Sequence, residues 1–221
     1  MPFSRVSRFG FVNAYLVEDE GGLTVIDTML PGSAKGILAA AAEHGMPIAR
    51  ILLTHGHGDH VGSLDKLHEA VPEAEVIISA RDARLLDKDR TLDPGEPQVK
   101  VRGGVPGTET KSTRTIAAGD RIGSLEAYAS PGHTPGHFSF LDTRDGTLFC
   151  GDAYASLGGV ATCAKPNWRF PLPAMATWHR PTALESARAL RALDPKRLAP
   201  GHGKVVEDPG AAMDRAIAAA S

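Results

Sequence analysis

The sequence predicts a single domain in which strands and helices alternate, and three observations carry that prediction. Its 221 residues, 42% hydrophobic and 23% charged, suffice for one domain with a substantial core. Short apolar runs recur along the chain between amphipathic helical stretches, the pattern of mixed αβ folds. The 24 Gly and 16 Pro exceed average usage without a repeat period, which indicates many tight turns rather than disorder or a fibre. With aromatic residues at only 5%, the core must be built from aliphatic side chains.

The chain opens with strand-like runs over 11–17 and 23–26, separated by a hairpin turn at Asp19-Glu20-Gly21-Gly22. From Ser33 an Ala-rich helix places Ile37, Leu38, Ala41 and Ala42 on one face and stops at Gly45 before Met46-Pro47. A strand over 51–53 follows, then a helix capped by Ser63 that carries Leu64 and Leu67 and ends before Pro72, then a strand over 76–78. Ser79-Ala80-Arg81-Asp82 has the form of a capping box for the next helix. Residues 88–114 turn to Asp, Pro, Gly, Lys and Thr and read as a surface loop or partial lid. Strand-like runs over 125–129, 138–141 and 147–150, with Gly-rich turns between them, indicate a second sheet. An irregular stretch over 156–180 holds Trp168, Phe170 and Trp178. Thr182-Ala183-Leu184-Glu185 matches a capping box for a helix with Leu184, Ala187, Leu190 and Leu193 on its apolar face. A strand over 197–199 precedes Asp208-Pro209, which opens a last helix with Ala212, Met213, Ala216 and Ile217 facing inward.

A formal net charge of −2 leaves no broad positive field for nucleic acid or anionic lipid. Two cysteines, Cys150 and Cys163, cannot make a disulfide framework, and no run of about 18 apolar residues exists to span a membrane. The N-terminal Met-Pro-Phe-Ser-Arg-Val-Ser-Arg lacks the apolar stretch of a signal peptide, so a reduced cytoplasmic location is the expectation.

Chemistry concentrates where short apolar strands end. Asp27, His55, His133, Asp152 and His202 each follow such a run, several after small residues that let the backbone turn sharply, so these loops are expected to face a common cleft. The densest piece is His55-Gly56-His57-Gly58-Asp59-His60. Two imidazoles spaced by one residue on an extended segment point the same way and can grip one borderline cation, while a turn at Gly58 aims Asp59 and His60 at a neighbouring ion.

That motif, with Gly132-His133-Thr134-Pro135-Gly136-His137, Gly151-Asp152 and Pro200-Gly201-His202-Gly203, resembles the metallo-β-lactamase superfamily over positions 27 to 203, near its dinuclear glyoxalase II and lactonase-like hydrolases. The resemblance implies an α+β fold, a four-layer αββα sandwich of two packed mixed sheets with helices outside, filling 1–221 as one domain. In it, segments 88–114 and 156–180 flank the active-site edge. Carried over by residue, it implies that His55, His57 and His133 hold one metal, that Asp59, His60 and His202 hold the other, and that Asp152 bridges them. Asp27 takes the place of a supporting acid that orients a ligating His. The cofactors implied are two divalent ions, zinc foremost, although five His and two Asp also suit iron or manganese. The implied reaction is hydrolysis of a small ester, lactone or thioester by a metal-bridging hydroxide, with Asp59 orienting the nucleophile.

Tyr154, two residues beyond the bridging acid, is placed as a donor to the reacting oxygen in the lactonases of the family, against the plainer reading of a buried ring. His137 reads as a structural hydrogen-bonding residue; His44, His68 and His179 read as solvated or capping residues, with His179 a possible substrate contact. Trp168, Phe170 and Trp178 line a pocket or staple their loop, Cys150 reads as core, and Cys163 has no assignment. The acid at position 152 separates the chain from typical zinc β-lactamases. Only 18 residues follow Gly203, short of the C-terminal helical domain of glyoxalase II. The alternatives are a one-iron persulfide dioxygenase, a zinc β-lactamase-type amide hydrolase, and a metal-binding protein without catalysis. The partner expected is a small-molecule substrate, with no nucleic acid and no membrane; the sequence is silent on oligomeric state.

Overall fold

A computed structural model describes residues 3–221; Met1 and Pro2, the start of the stretch read as carrying no signal peptide, lie outside the described residues. The chain divides into two compact units, one of residues up to 89 with 104–116, the other of 90–103 with 117–221.

In the first unit the elements run β1 (Phe3–Arg8), β2 (Val12–Asp19), β3 (Gly22–Ile26), α1 (Ala34–His44), β4 (Ile48–Leu52), α2 (Gly58–Val61), α3 (Leu64–Ala70), β5 (Glu75–Ser79), α4 (Ala80–Leu86) and β6 (Arg114–Ile116). They form one mixed sheet in the order β1-β2-β3-β4-β5-β6, antiparallel through β3 and parallel from β3 to β6. The expected hairpin is β2–β3, with Asp19 opposite Gly22. β1 is an addition to the sequence reading: it is an edge strand in which only Phe3 is buried and Arg5 and Ser7 alternate outward, so it lacks an apolar run. Helix α1 starts and stops as expected, with Gly45 left-handed at its end. Leu16, Val25, Ile37, Ile51, Leu53, Leu64, Leu67, Val76 and Ile78 centre the aliphatic core of this unit.

The second unit holds β7 (Arg121–Ile122), β8 (Leu125–Ala129), β9 (Phe138–Asp142), β10 (Thr147–Gly151), β11 (Tyr154–Ala155), β12 (Ala161–Thr162), α5 (Leu172–Ala176), α6 (Arg180–Ala192), β13 (Arg197–Pro200), β14 (Val206–Glu207) and α7 (Gly210–Ala220). Six strands form a second mixed sheet, β14-β13-β10-β9-β8-β7, in which only β10 and β13 are parallel; β11 and β12 form a separate two-stranded ribbon. Helix α6 begins earlier than the Thr182 capping box predicts: His179 is its N-cap, and the ring Nδ1 accepts the Thr182 amide while Pro181 occupies the first turn. Leu148, Cys150, Tyr154, Ala187, Leu190, Leu198 and Met213 pack together beneath α6 and α7. The loop read over 88–114 holds no helix or strand through residue 113 and ends on Arg114, the first residue of β6, whereas 156–180, read as irregular, contains β12 and α5 and ends on the first residue of α6.

Candidate metal centre

In the first unit, β3, β4 and β5 run parallel, so their C-terminal ends share one edge of the sheet. Asp27 follows β3 there and accepts three hydrogen bonds while 2% exposed. Thr54 donates its amide to Oδ1 at 2.8 Å and its hydroxyl to Oδ2 at 2.8 Å, and His60 Nδ1 lies 2.7 Å from Oδ2. A carboxylate only accepts, so His60 carries its proton on Nδ1 and its lone pair on Nε2. Thr54 Oγ1, having donated to Asp27, accepts from His55 Nδ1 at 2.9 Å and fixes the same tautomer there. The rings of His55 and His57 stand 4.8 Å apart edge to face, and those of His55 and His60 4.1 Å apart. All three imidazoles are buried, while Asp59, in the first turn of α2, is partly exposed.

Two devices hold this loop in place. A Cβ on Gly56 would stand 2.6 Å from Leu85 Cβ on α4, so only glycine lets the chain pass so close to that helix. The Gly56 amide donates to Asp82 Oδ2 at 3.0 Å, and Asp82 is fully buried. The capping box read at Ser79 is present, with Ser79 Oγ accepting the Asp82 amide, but the Asp82 carboxylate also reaches 26 residues back to the His-rich loop.

In the second unit, Asp152 and His202 follow the parallel strands β10 and β13, and the β8–β9 loop carrying His133 and His137 reaches the same edge because β9 runs antiparallel to β10. Asp152 Oδ2 lies 3.4 Å from His133 Nε2 and 3.3 Å from His202 Nε2. One carboxylate oxygen therefore stands between two buried imidazole nitrogens. The single proton of Thr177 Oγ1 is shared between the backbone carbonyls of Pro173 at 2.8 Å and Cys163 at 3.0 Å, which leaves the oxygen to accept from His133 Nδ1 at 3.1 Å and turns the His133 Nε2 lone pair toward Asp152.

His137 has the structural role read from the sequence. The Asp152 amide donates to its Nε2 at 3.1 Å, so its proton is on Nδ1 and is donated to Ser130 Oγ at 2.8 Å; Ser130 in turn meets Ser139 at 2.8 Å. This buried chain anchors the backbone of Asp152. Gly132, at φ +128°, sits so close to α6 that a Cβ would come within 2.2 Å of the Ala183 amide nitrogen.

Tyr154 requires a correction. Its ring is buried in the core beneath α6, and its hydroxyl donates to the Ala187 carbonyl at 2.7 Å, so the buried-ring reading replaces the catalytic one. Burial raises its phenol well above the usual range. Trp178 staples the 90–103 segment by donating Nε1 to Val99 O at 2.8 Å; Phe170 lies 5.2 Å from the His202 ring; Trp168 is exposed. Cys150 and Cys163 are buried free thiols, both pushed up by desolvation. His44 bonds Glu18 and Ser4. Thr54, Asp82, Thr177 and Ser130 escaped sequence reading: no spacing marks a short polar residue that serves a ligand far along the chain.

Three imidazoles, those of His55, His60 and His133, have their lone pairs steered by partners, and the imidazole and carboxylate donors clustered in each unit are of types suited to divalent cations. A protein with this fold and these clusters at its sheet edges is a metal-binding hydrolase type. The chain belongs to the metallo-β-lactamase superfamily, whose description matches it over residues 7–202, and it is a metallo-hydrolase of that group. It is 50% identical over 207 residues to the uncharacterized protein YobT of Bacillus subtilis (strain 168), covering 93% of this chain and 89% of that one. It is 36% identical over 142 residues to the hydroxyacylglutathione hydrolase of Rhodospirillum rubrum, covering 62% of this chain and 45% of that enzyme, so the match spans just under half of that relative. Among solved structures, TTHA1623 in a di-iron-bound form matches with a TM-score of 0.67 and 26% identity, covering 95% of this chain and 96% of that one. The α+β class with two mixed sheets is as the resemblance implied. Among the described residues, no helix is long and apolar enough to cross a membrane.

Proposed function

We propose that the chain is a dinuclear, zinc-dependent hydrolase of a small ester, lactone or thioester. The observation that carries this reading is Asp152 Oδ2 flanked by His133 Nε2 and His202 Nε2 at 3.4 and 3.3 Å, the arrangement of a carboxylate shared between two ions. The resemblance assigns His55, His57 and His133 to one ion, Asp59, His60 and His202 to the other, and Asp152 to both. Two bound divalent ions supply an acidified water and a polarised carbonyl oxygen. The residues do the rest. Asp27 and Thr54 keep His60 and His55 in the ligating tautomer, Thr177 does so for His133, and His137 fixes the Asp152 backbone. Asp59, the one partly exposed member, would orient the attacking water and accept its proton.

The near-neutral net charge and two reduced thiols support a small-molecule substrate and a cytoplasmic location, without nucleic-acid or membrane partners. Iron and manganese remain within the reach of the donor set. Metal analysis of the purified protein, coupled to a panel of lactone, thioester, β-lactam and phosphodiester substrates, tests the proposal. Two ions per chain with ester-class turnover are expected. Two ions with no hydrolysis across the panel, or one iron with sulfur oxygenation, overturn it.

A further inference from the structure

Away from the clustered His and Asp side chains, the second unit contains an open groove of about 500 Å³, within the size range of small-molecule sites. One wall is the face of α7 carrying Ala212, Ala216 and Ala219, and the other is the ribbon residues Val160 to Thr162 with the Lys165–Trp168 segment. The alanines and glycines along it keep the groove clear of side chains. Its only charged lining residues are Lys165 and Arg215, both cations, in a chain whose net charge is negative. Arg215 is exposed and makes no hydrogen bond or ion pair among the described residues, so its five donors are open to a ligand. Lys165 spans the groove to the Ala219 carbonyl, which occupies one of its three donors. Trp168 stands 83% exposed beside them, with the Arg169 guanidinium 4.9 Å from its ring centroid. Thr162, on the floor, is 4% exposed and its hydroxyl has no hydrogen-bond partner among the described residues.

We propose that this groove binds a small amphipathic carboxylate, its flat apolar body against Trp168 and the alanine face and its carboxylate held by Arg215 and Lys165. Arg presents a planar fork that matches a carboxylate with two parallel bonds, and indole faces favour flat rings. Neither the ribbon nor α7 contributes a metal-ligating residue, so this site stands independently of the hydrolase reading. It is nonetheless tied to that centre. Strand β12 on its floor pairs with β11, which follows Asp152, and the turn from Asn167 to Phe170 has Asn167 in the groove wall and Phe170 beside His202.

Isothermal titration calorimetry of the metal-loaded protein with 2-naphthoate, 2-naphthamide and acetate tests the assignment. The naphthoate should bind, with the uncharged amide and the body-less acetate each at least tenfold weaker. Arg215→Ala, at an exposed position, and Ala212→Trp, which fills the groove, should each weaken naphthoate at least tenfold while circular dichroism and thermal unfolding stay at wild-type values. Naphthoate binding that survives both substitutions lies elsewhere, on the metals for example, and overturns the proposal; so does equal affinity for acid and amide. A dimer in sedimentation that Trp168→Ser dissolves, with the naphthoate heat unchanged, also overturns it, because Trp168 would then face a second copy of the chain.

Discussion

Replacing Asp27 with Asn tests whether this carboxylate prepares the His-rich loop for metal. The carboxylate accepts from Thr54 N at 2.8 Å, Thr54 Oγ1 at 2.8 Å and His60 Nδ1 at 2.7 Å. An amide offers one oxygen and one NH2, so in either orientation at least one of those donors meets another donor. Leaving one such buried group unsatisfied costs about 1–3 kcal/mol. Removing an orienting partner of a metal-ligating His typically weakens binding about 10–100-fold, which is roughly 1.4–2.7 kcal/mol. The backbone is a fair control: Asp27 sits at φ +61°, where Asn is as much at home as Asp, whereas Ala would add strain.

Two measurements separate the possibilities. Competition titration against a chromogenic chelator should show zinc affinity down about tenfold or more, and the metal-free protein should unfold about 2–12 °C lower, given a shift of about 2–4 °C per kcal/mol for a chain of this size. Unchanged affinity and an unchanged unfolding temperature would refute the reasoning. A lower unfolding temperature with wild-type affinity would reduce Asp27 to a residue that shapes the turn after β3.

Three further outcomes are expected. Tyr154→Phe removes the 2.7 Å bond to the Ala187 carbonyl and should cost about 1–2 kcal/mol in urea unfolding with turnover intact; a loss of turnover at wild-type stability would restore Tyr154 to the catalytic centre. Gly132→Ala forces a Cβ against Ala183 at φ +128° and should destabilise by about 3 kcal/mol or more, with weakened metal binding at neighbouring His133; wild-type unfolding would show that α6 can yield. Burial pushes the Cys163 thiol up to about 12. An unfolded thiol titrates near 8.5, so the stability held by the neutral form is complete below about that pH and is lost as pH rises toward the folded value. The wild type should therefore lose unfolding temperature between pH 8 and 10.5 faster than Cys163→Ala, and parallel slopes would count against the buried thiol as the cause.

The clustered His and Asp were legible because candidate metal donors come either from closely spaced positions on a turn, as at His55 to His60, or from strand ends that share a sheet edge, as at Asp152 and His202. Both requirements leave marks in sequence: spacing in the first case, an apolar run closed by small residues in the second. The residues that tune those donors left none. Thr54 and Thr177 orient imidazoles through a single hydroxyl, and a Thr after a strand has many commoner uses. Asp82 shows the degeneracy most clearly, since its capping-box spacing to Ser79 is genuine and local while its bond to Gly56 is long-range. Helix α6 shows the converse, where the Thr182 box fits a cap but the His179 ring takes that amide three residues earlier.

Tyr154 failed for a geometric reason. Position along the chain from Asp152 fixes how far a side chain can reach but not where it points, and direction here is set by the ribbon. Tyr154 pairs with Thr162, and its ring turns beneath α6 instead of toward the His-lined edge. What the sequence could not supply is therefore one kind of information throughout: which of several chemically adequate partners a short polar or aromatic side chain meets once the sheets are formed. The same gap hid the groove beside α7, whose small residues read as ordinary helix formers until the ribbon opposite them, with Lys165, Trp168 and the buried Thr162 hydroxyl, gave that face something to enclose.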